Sequence, residues 1–307
     1  MRAPPGFKIA QSACPFVGVA GQSLDCCRYR LRQHPAGSRF ADNAGYSPPT
    51  FTTPLALMER ATFQNLLDEL LQPAQFKDYG PNGLQVEGRA QVAKIVSGVT
   101  ASLALIEAAI DAGADTIFVH HGLFWRGYDG RVTGWMRKRL GLLLQHDINL
   151  FAYHLPLDAH AQWGNNAQLG LRLGLVADGR FGEQQLGFIG APSTALYASV
   201  DQLARHIESV LHRSVVVVPG RSGPLRRIAW CSGGAQSYFE SAIAAGADAF
   251  ISGEISEPQA HLARECGVAY LACGHHATER FGAPAIAGHL ASQWGLAHQF
   301  IDIENPA

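Results

Sequence analysis

Two segments of the chain repeat one spacing of metal-donor residues. Tyr153-His154-Leu155-Pro156-Leu157-Asp158 sets a histidine four residues ahead of a carboxylate, and Gly274-His275-His276-Ala277-Thr278-Glu279 does the same. A third cluster, Val119-His120-His121-Gly122, lies upstream. Each follows a short apolar run that reads as a strand. Imidazole nitrogen and carboxylate oxygen are the usual donors for a divalent cation at such strand ends. The recurrence predicts one site shared between two related halves, with His120, His121, Asp158, His275 and Glu279 as candidate ligands. If two ions bind, Asp158 is the expected bridge, because each carboxylate oxygen can take one ion. His154, His160 and Glu254 are expected to orient ligands or carry protons, and so form the candidate catalytic group.

Plainer roles exist for the same residues. Asp158 can cap a helix or turn, His275 and Glu279 can be a cap and a surface carboxylate, and Glu254 can be an ordinary loop acid. Cys273 reads as a small buried residue rather than a soft ligand. Ser232-Gly233-Gly234, between a strand and a helix, offers a weak signal for an anion nest of backbone N–H groups. Tyr79–Gly88 is dense in turn residues and reads as a structural turn or a substrate loop.

The elements that must carry these residues alternate. Phe63, Leu66, Leu67, Leu70 and Leu71 fall on one helical face. Strand-like runs follow at 93–99, 116–119, 149–153, 186–189, 215–218, 228–231, 249–251, 269–272 and 299–301. Helical stretches are predicted at 103–112, 135–145, 200–211, 238–245 and 258–266. This alternation predicts α/β architecture with sheets covered by helices. An internal repeat aligns Ile106–Phe118 with Phe239–Ile251 and sets His120-His121 over Gly253-Glu254, and His154/Asp158 over His275/Glu279. The expected lobes are 58–180 and 181–307, with the donors at the carboxyl ends of strands, where open α/β sheets bind ligands.

Bulk properties narrow the function. The chain has 307 residues, 47% hydrophobic and 16% charged, with a formal net charge of −1. That balance argues against tight nucleic-acid binding. No apolar run reaches the roughly 18–20 residues that span a bilayer. The cysteines, Cys14, Cys26, Cys27, Cys231, Cys266 and Cys273, form no CxxC pair, and with no classical signal peptide they read as reduced thiols of a cytoplasmic protein. Residues 1–57 are Arg-rich, Pro/Gly/Ser-rich and aperiodic. They read as a poorly ordered N-terminal extension, either a targeting peptide or sequence upstream of a working start at Met58, the second being favoured. The GxSxG elbow, HExxH and a GxGxxG after a strand are all absent, so serine hydrolase, zincin and dinucleotide readings lack support.

Tyr79-Gly-Pro-Asn-Gly-Leu-Gln-Val-Glu-Gly88, Val119-His-His-Gly122, Tyr153-His-Leu-Pro-Leu-Asp-Ala-His160 with Gly164-Asn-Asn166, and Gly274-His-His-Ala-Thr-Glu-Arg-Phe-Gly282 together resemble one family. They are similar to the dinuclear-metal-centre hexameric proteins, also described as GTP cyclohydrolase 1 type 2 or Ngg-interacting-factor-like proteins. The resemblance covers about residues 60–303. It implies a two-lobed α/β subunit and a toroidal homohexamer with metal sites facing an inner cavity. It also implies two divalent ions per subunit held by His120, His121, Asp158, His275 and Glu279. Zinc, iron, manganese, nickel and cobalt suit that set alike. The implied reaction is metal-dependent hydrolysis of a nucleotide, in which a water activated between the ions opens the imidazole ring of GTP. Phosphoester hydrolysis would use the same parts. The alternative is a metal-containing hexameric scaffold or binding protein without turnover. Many members read His-His-Pro where this chain has His121-Gly122, and the domain that longer members insert between the lobes is expected to be absent.

Overall fold

Strands covered on both faces need near-continuous apolar sequence, and the runs around Val96, Phe118, Phe151, Ala229, Phe250 and Tyr270 supply it. A computed structural model describes residues 56–307. The expected N-terminal extension therefore lies outside the described residues apart from Ala56 and Leu57, as do Cys14, Cys26 and Cys27. Two sheets dominate. The five-stranded sheet runs, edge to edge, Ala297–Phe300, Lys94–Thr100, Thr116–His121, Asn149–Ala152 and Gly83–Val86. All neighbours are parallel except the last pair. The six-stranded sheet runs Leu175–Phe181, Gly187–Pro192, Ile228–Cys231, Ala249–Ser252, Ala269–Ala272 and Val216–Val218. Its centre, 228–231, 249–252 and 269–272, is parallel, and an antiparallel strand again closes one side.

Alternation along each strand divides the core. Ile95, Phe118 and Phe151 pack under helices Arg60–Leu71 and Gly282–Trp294, whereas Val96, Ile117, Val119 and Leu150 pack under helices Leu103–Asp111 and Gly134–Gln145. In the second sheet Ile228, Trp230, Ile251 and Leu271 face helices Asn165–Arg172 and Val200–Leu211. Ala229, Phe250 and Tyr270 face helices Phe239–Ala244 and Glu257–Cys266. Both sheets are thus covered on both faces, as the α/β expectation required.

The lobes are interleaved rather than divided at 180/181. After the strand Asn149–Ala152 the chain passes through His154 and Asp158, then adds its next helix and the strand Leu175–Phe181 to the six-stranded sheet. After the equivalent strand Ala269–Ala272 it passes through His275 and Glu279. It then returns helix Gly282–Trp294 and strand Ala297–Phe300 to the five-stranded sheet. Each half completes the sheet of the other, and the candidate ligands Asp158 and Glu279 ride on the two reciprocal crossovers.

The repeat extends to a polar detail. Asp115 Oδ2 accepts the N–H groups of Ala93 and Lys94, both at 2.9 Å. Its counterpart Asp248 accepts those of Arg226 and Arg227 at 2.8 and 2.9 Å. Each aspartate pins the start of the neighbouring parallel strand. Burial alone would raise the Asp248 carboxyl, but bonds from the Arg227 and Arg226 N–H groups and from the Arg221 guanidinium hold it below its ordinary value. A depressed carboxylate contributes stability above its unfolded pKa and loses it as pH falls through the folded value. Asp248→Ala is expected to cost about 1–2 kcal/mol near neutrality. The deficit relative to wild type should shrink below about pH 4 in thermal melts across pH. A deficit that stays constant down to about pH 2 would contradict this assignment.

Candidate metal centre

Four imidazoles converge where the crossovers meet, and each is fixed through Nδ1. His120 Nδ1 lies 3.1 Å from the Tyr153 carbonyl, and His121 Nδ1 lies 3.1 Å from Thr100 Oγ1. His154 Nδ1 is 2.7 Å from Asp78 Oδ1, and His275 Nδ1 is 2.6 Å from Glu254 Oε1. A carbonyl or carboxylate only accepts, so Nδ1 of His120, His154 and His275 carries the proton. Nε2 is left facing inward. Both histidines of the 119–122 cluster belong to the strand Thr116–His121, with ring centroids 4.5 Å apart.

Glu279 stands between them. Its Oε1 is 3.4 Å from His120 Nε2, and its Oε2 is 3.2 Å from both His121 Nε2 and His275 Nε2. Asp158 Oδ1 lies 3.5 Å from His120 Nε2 and is held by Asn165 Nδ2 at 2.9 Å and Ser232 Oγ at 3.2 Å. The carboxylate whose two oxygens face two sets of imidazoles is therefore Glu279. Asp158, the bridge expected from the sequence, pairs among the imidazoles only with His120, through the same oxygen that accepts from Asn165 and Ser232.

Three groups bring candidate ligand atoms within 4.8 Å of one another: His120/Asp158/Glu279, His121/His275/Glu279 and His120/His121/His154. His120 Nε2 and Glu279 Oε2 are buried without any hydrogen-bond partner. Native interiors rarely leave such atoms unpaired, so the residues present fit divalent cations. The charge states of Glu279 and His121 agree. Burial opposes ionisation of Glu279, but the imidazoles of His120 and His121 outweigh it and hold the carboxyl well below its usual range. Burial drives His121 down to about 3. A neutral imidazole beside an ionised carboxylate is what metal ligation requires. Burial would also lower His120, but Asp158 and Glu279 raise it to about 9, so in the absence of a cation a proton takes the place between the carboxylates. His275 is raised to about 9, first by the neighbouring Glu279 carboxylate and then, against burial, by Glu254 as well. Asp158 is raised by burial, which His120 only partly offsets.

Gly233 comes within contact of this cluster. It has φ +67°, and a Cβ there would lie 2.0 Å from Glu279 Oε1 and 3.2 Å from His275 Nε2. Gly122, where many members of the resembling family carry proline, gives room to Gln85, whose Oε1 accepts the Leu123 N–H at 2.8 Å.

The other residues singled out in the sequence separate into distinct roles. His154 joins a ligand group and borders a cavity of about 190 Å³ lined also by Tyr79, Glu183, Ser237, Tyr238 and His275. Glu254 orients His275 and accepts from Gln236 Nε2 at 3.2 Å. His160 is not brought to any of the three groups. Its Nδ1 accepts the N–H of Trp163 at 2.9 Å, and its ring fastens the turn after the short helix Leu155–Ala159. The Ser232-Gly233-Gly234 nest is largely closed, since the Ser232 N–H goes to Asn166 Oδ1 and the Gly233 N–H to Thr278 Oγ1. Cys273 is fully buried and belongs to no ligand group.

Sequence reasoning missed the residues that hold the side chains of this cluster. Asp78 accepts from His154, from the Leu155 N–H and from Asn82 Nδ2, while Asn82 Oδ1 accepts the His154 N–H. Burial would raise the Asp78 carboxyl, but the bonds from His154, Asn82 and the Tyr79 N–H keep it below its usual range. Asn165 and Asn166, both fully buried, fix Asp158 and the start of the Ser232 turn. The available signal was the Asp78…Asn82 pair at the head of the Tyr79–Gly88 turn, and the Asn165-Asn166 doublet.

The family model described as Duf34/NIF3 (NGG1p interacting factor 3) matches residues 58–306. The chain belongs to the Duf34/NIF3 family. A GTP cyclohydrolase 1 type 2 homolog of Neisseria meningitidis serogroup A is 51% identical over 248 residues, 81% of this chain and 99% of that protein. The homolog of the same name from Escherichia coli K12 is 47% identical over 253 residues, 81% of this chain and all of that one. Among solved structures, protein ybgI, of unknown function, has TM-score 0.78 at 46% identity, covering 81% of this chain and 100% of its own. TTHA1606 from Thermus thermophilus has TM-score 0.75 at 33% identity, with the same coverage. The two interleaved sheets are thus a Duf34/NIF3 fold. No helix among the described residues is long and apolar enough to cross a membrane.

Proposed function

We propose that this Duf34/NIF3 chain is a dinuclear metal-dependent hydrolase, with His120, His121, Asp158, His275 and Glu279 as ligands and Glu279 as the bridge. The observation that carries the reading is the carboxylate of Glu279, whose two oxygens face His120 on one side and His121 with His275 on the other. Divalent ions of the zinc, iron, manganese, nickel or cobalt type, held by these residues, would supply a bound water whose pKa is lowered toward neutrality.

The chain's own residues supply the rest. Asp78 fixes the His154 ring at the edge of the cavity, where it would take a proton from the water and return it to a leaving group. Glu254 would hold His275 in its ligating orientation. Tyr79 and Tyr238 would enclose a planar substrate group beside the ligands. The name shared by the relatives supports a purine nucleotide and imidazole ring opening of the GTP cyclohydrolase type. The working form is proposed as a cytoplasmic homohexamer.

The test pairs metal content with turnover of GTP and of p-nitrophenyl phosphate. The metal-loaded chain is expected to hydrolyse one of them, and a chelator to abolish the activity. His154→Asn should lower kcat by about 10²–10⁴-fold with its metal content unchanged. A chain that holds two ions and turns over neither compound would shift the weight to the scaffold reading. An unchanged kcat in His154→Asn would remove that residue from proton transfer.

A further inference from the structure

The helix carrying two of the candidate ligands, His275–Glu279, is a single turn with no side-chain cap at its start. One turn fixes several dihedral angles for very few internal bonds and does not hold itself. Its front face is committed to the cluster. Its back face carries His276 and Arg280, and both reach Asp302: His276 Nε2 lies 2.8 Å from Asp302 Oδ1, and Arg280 Nη1 lies 3.4 Å from Oδ2. Arg280 Nη2 also donates to the Leu211 carbonyl at 2.8 Å.

The segment that bears Asp302 is itself tied down. Arg213 donates to the carbonyls of Ala307 at 3.0 Å and Pro306 at 3.2 Å, and the His276 N–H donates to Ala307 O at 3.2 Å. The Arg213 guanidinium lies so close to the residue before the helix that a Cβ on Gly274 would stand 1.9 Å from Nη1. A cavity of about 500 Å³ opens among these groups, lined by Leu211, Arg213, His276, Arg280 and Asp302. Ala277 of this helix is buried in the apolar core that also holds Leu211 and Cys273, and the polar ties secure the His276 and Arg280 side.

We propose that Asp302 and Arg213 are positioning residues for the metal centre: they brace the His275–Glu279 helix from behind and so set where His275 and Glu279 point. This rests on the metal-centre reading. Neither residue touches a ligand atom. They act through His276, Arg280 and the backbone at 274–276.

The experiment is a cobalt(II) titration of the full chain after chelator treatment, followed by visible absorption and by competition with a chelating dye. Asp302→Ala should weaken cobalt binding by about 10-fold or more and change the band pattern, because the ligand sphere is loosened rather than removed. The metal-free melting temperature should stay within about 3 °C of wild type, as expected for a partly exposed ion pair. Asp302→Asn should restore much of the affinity, since its amide oxygen still accepts from His276. Arg213→Gln should weaken binding as Asp302→Ala does, and Glu304→Ala, on the same segment, should do nothing.

Equal affinities and spectra in Asp302→Ala and wild type overturn the brace and leave the metal centre standing. Loss of affinity that follows a large drop in metal-free melting temperature, with no rescue by Asn, reduces Asp302 to an ordinary structural contact and also overturns it. A wild-type chain that takes up no cobalt overturns the metal centre and the brace together.

Discussion

Glu279→Ala is expected to strip the chain of both ions, whereas Asp158→Ala keeps one. In Glu279→Ala, three imidazole Nε2 atoms would face one another with only the Asp158 carboxylate left to offset two dications, and Asp158 reaches only His120. Metal content by plasma mass spectrometry should fall from about two ions per chain to near zero, beyond the roughly 10–100-fold loss typical when only an outer partner is removed. In Asp158→Ala, the set His121/His275/Glu279 is intact, and about one ion should remain. Bridging by Asp158 would give the reverse result, with Asp158→Ala empty and Glu279→Ala half-filled. The pair of variants therefore decides which carboxylate is shared, and two variants that both retain two ions would sink the dinuclear site.

Asn165→Ala is expected to damage stability and metal binding together. Asn165 Nδ2 donates to Asp158 on one crossover, and Asn165 Oδ1 accepts the Gly282 N–H, just past Glu279 on the other, at 2.9 Å. The side chain is fully buried, so its removal leaves the Gly282 donor without a partner and an Asp158 oxygen with one fewer. Unsatisfied buried groups of this kind cost about 1–3 kcal/mol each, which puts the loss at about 2–4 kcal/mol and the fall in melting temperature at about 5–15 °C. Because the same amide sets the separation of Asp158 and Glu279, metal affinity should also drop by about 10–100-fold. Asn165→Asp keeps the acceptor for Gly282 but sets a second carboxylate against Asp158. It should recover part of the stability in calorimetry and little of the metal affinity. An alanine variant with wild-type melting and wild-type metal content would show that the two crossovers are held together by something else.

Much of the fold was legible because its central strands are buried on both faces, and such strands announce themselves as apolar runs between helical patterns. Legibility was weakest where burial is two-sided for a helix or one-sided for a strand. Gly282–Trp294, with Ala283, Ile286, Ala287 and Leu290 buried, is built mostly of small residues and shows little amphipathic contrast. Leu175–Phe181 contains Ala177-Asp178-Gly179 and is exposed through its middle, so it resembles a turn more than a strand. These are the helix and the strand that cross between the halves, one from each crossover. Without them the boundary falls at 180/181 and the interleaving is concealed.

The sequence by itself determined the architecture class, carried the internal repeat and singled out five candidate donors, because donor chemistry and strand-end placement are local properties of residue type and spacing. Only the tertiary structure decided how those donors divide. The two crossovers bring Glu279 between two sets of imidazoles and pair Asp158 with one, and His160 fastens the turn that follows. Asp78, Asn165 and Asp302, the hydrogen-bond partners of His154, Asp158 and His276, come from 76 residues before His154, seven residues after Asp158 and 26 residues after His276. A hydrogen bond depends on a direction and a distance in space. Spacing along the chain constrains neither once the chain has crossed from one sheet to the other.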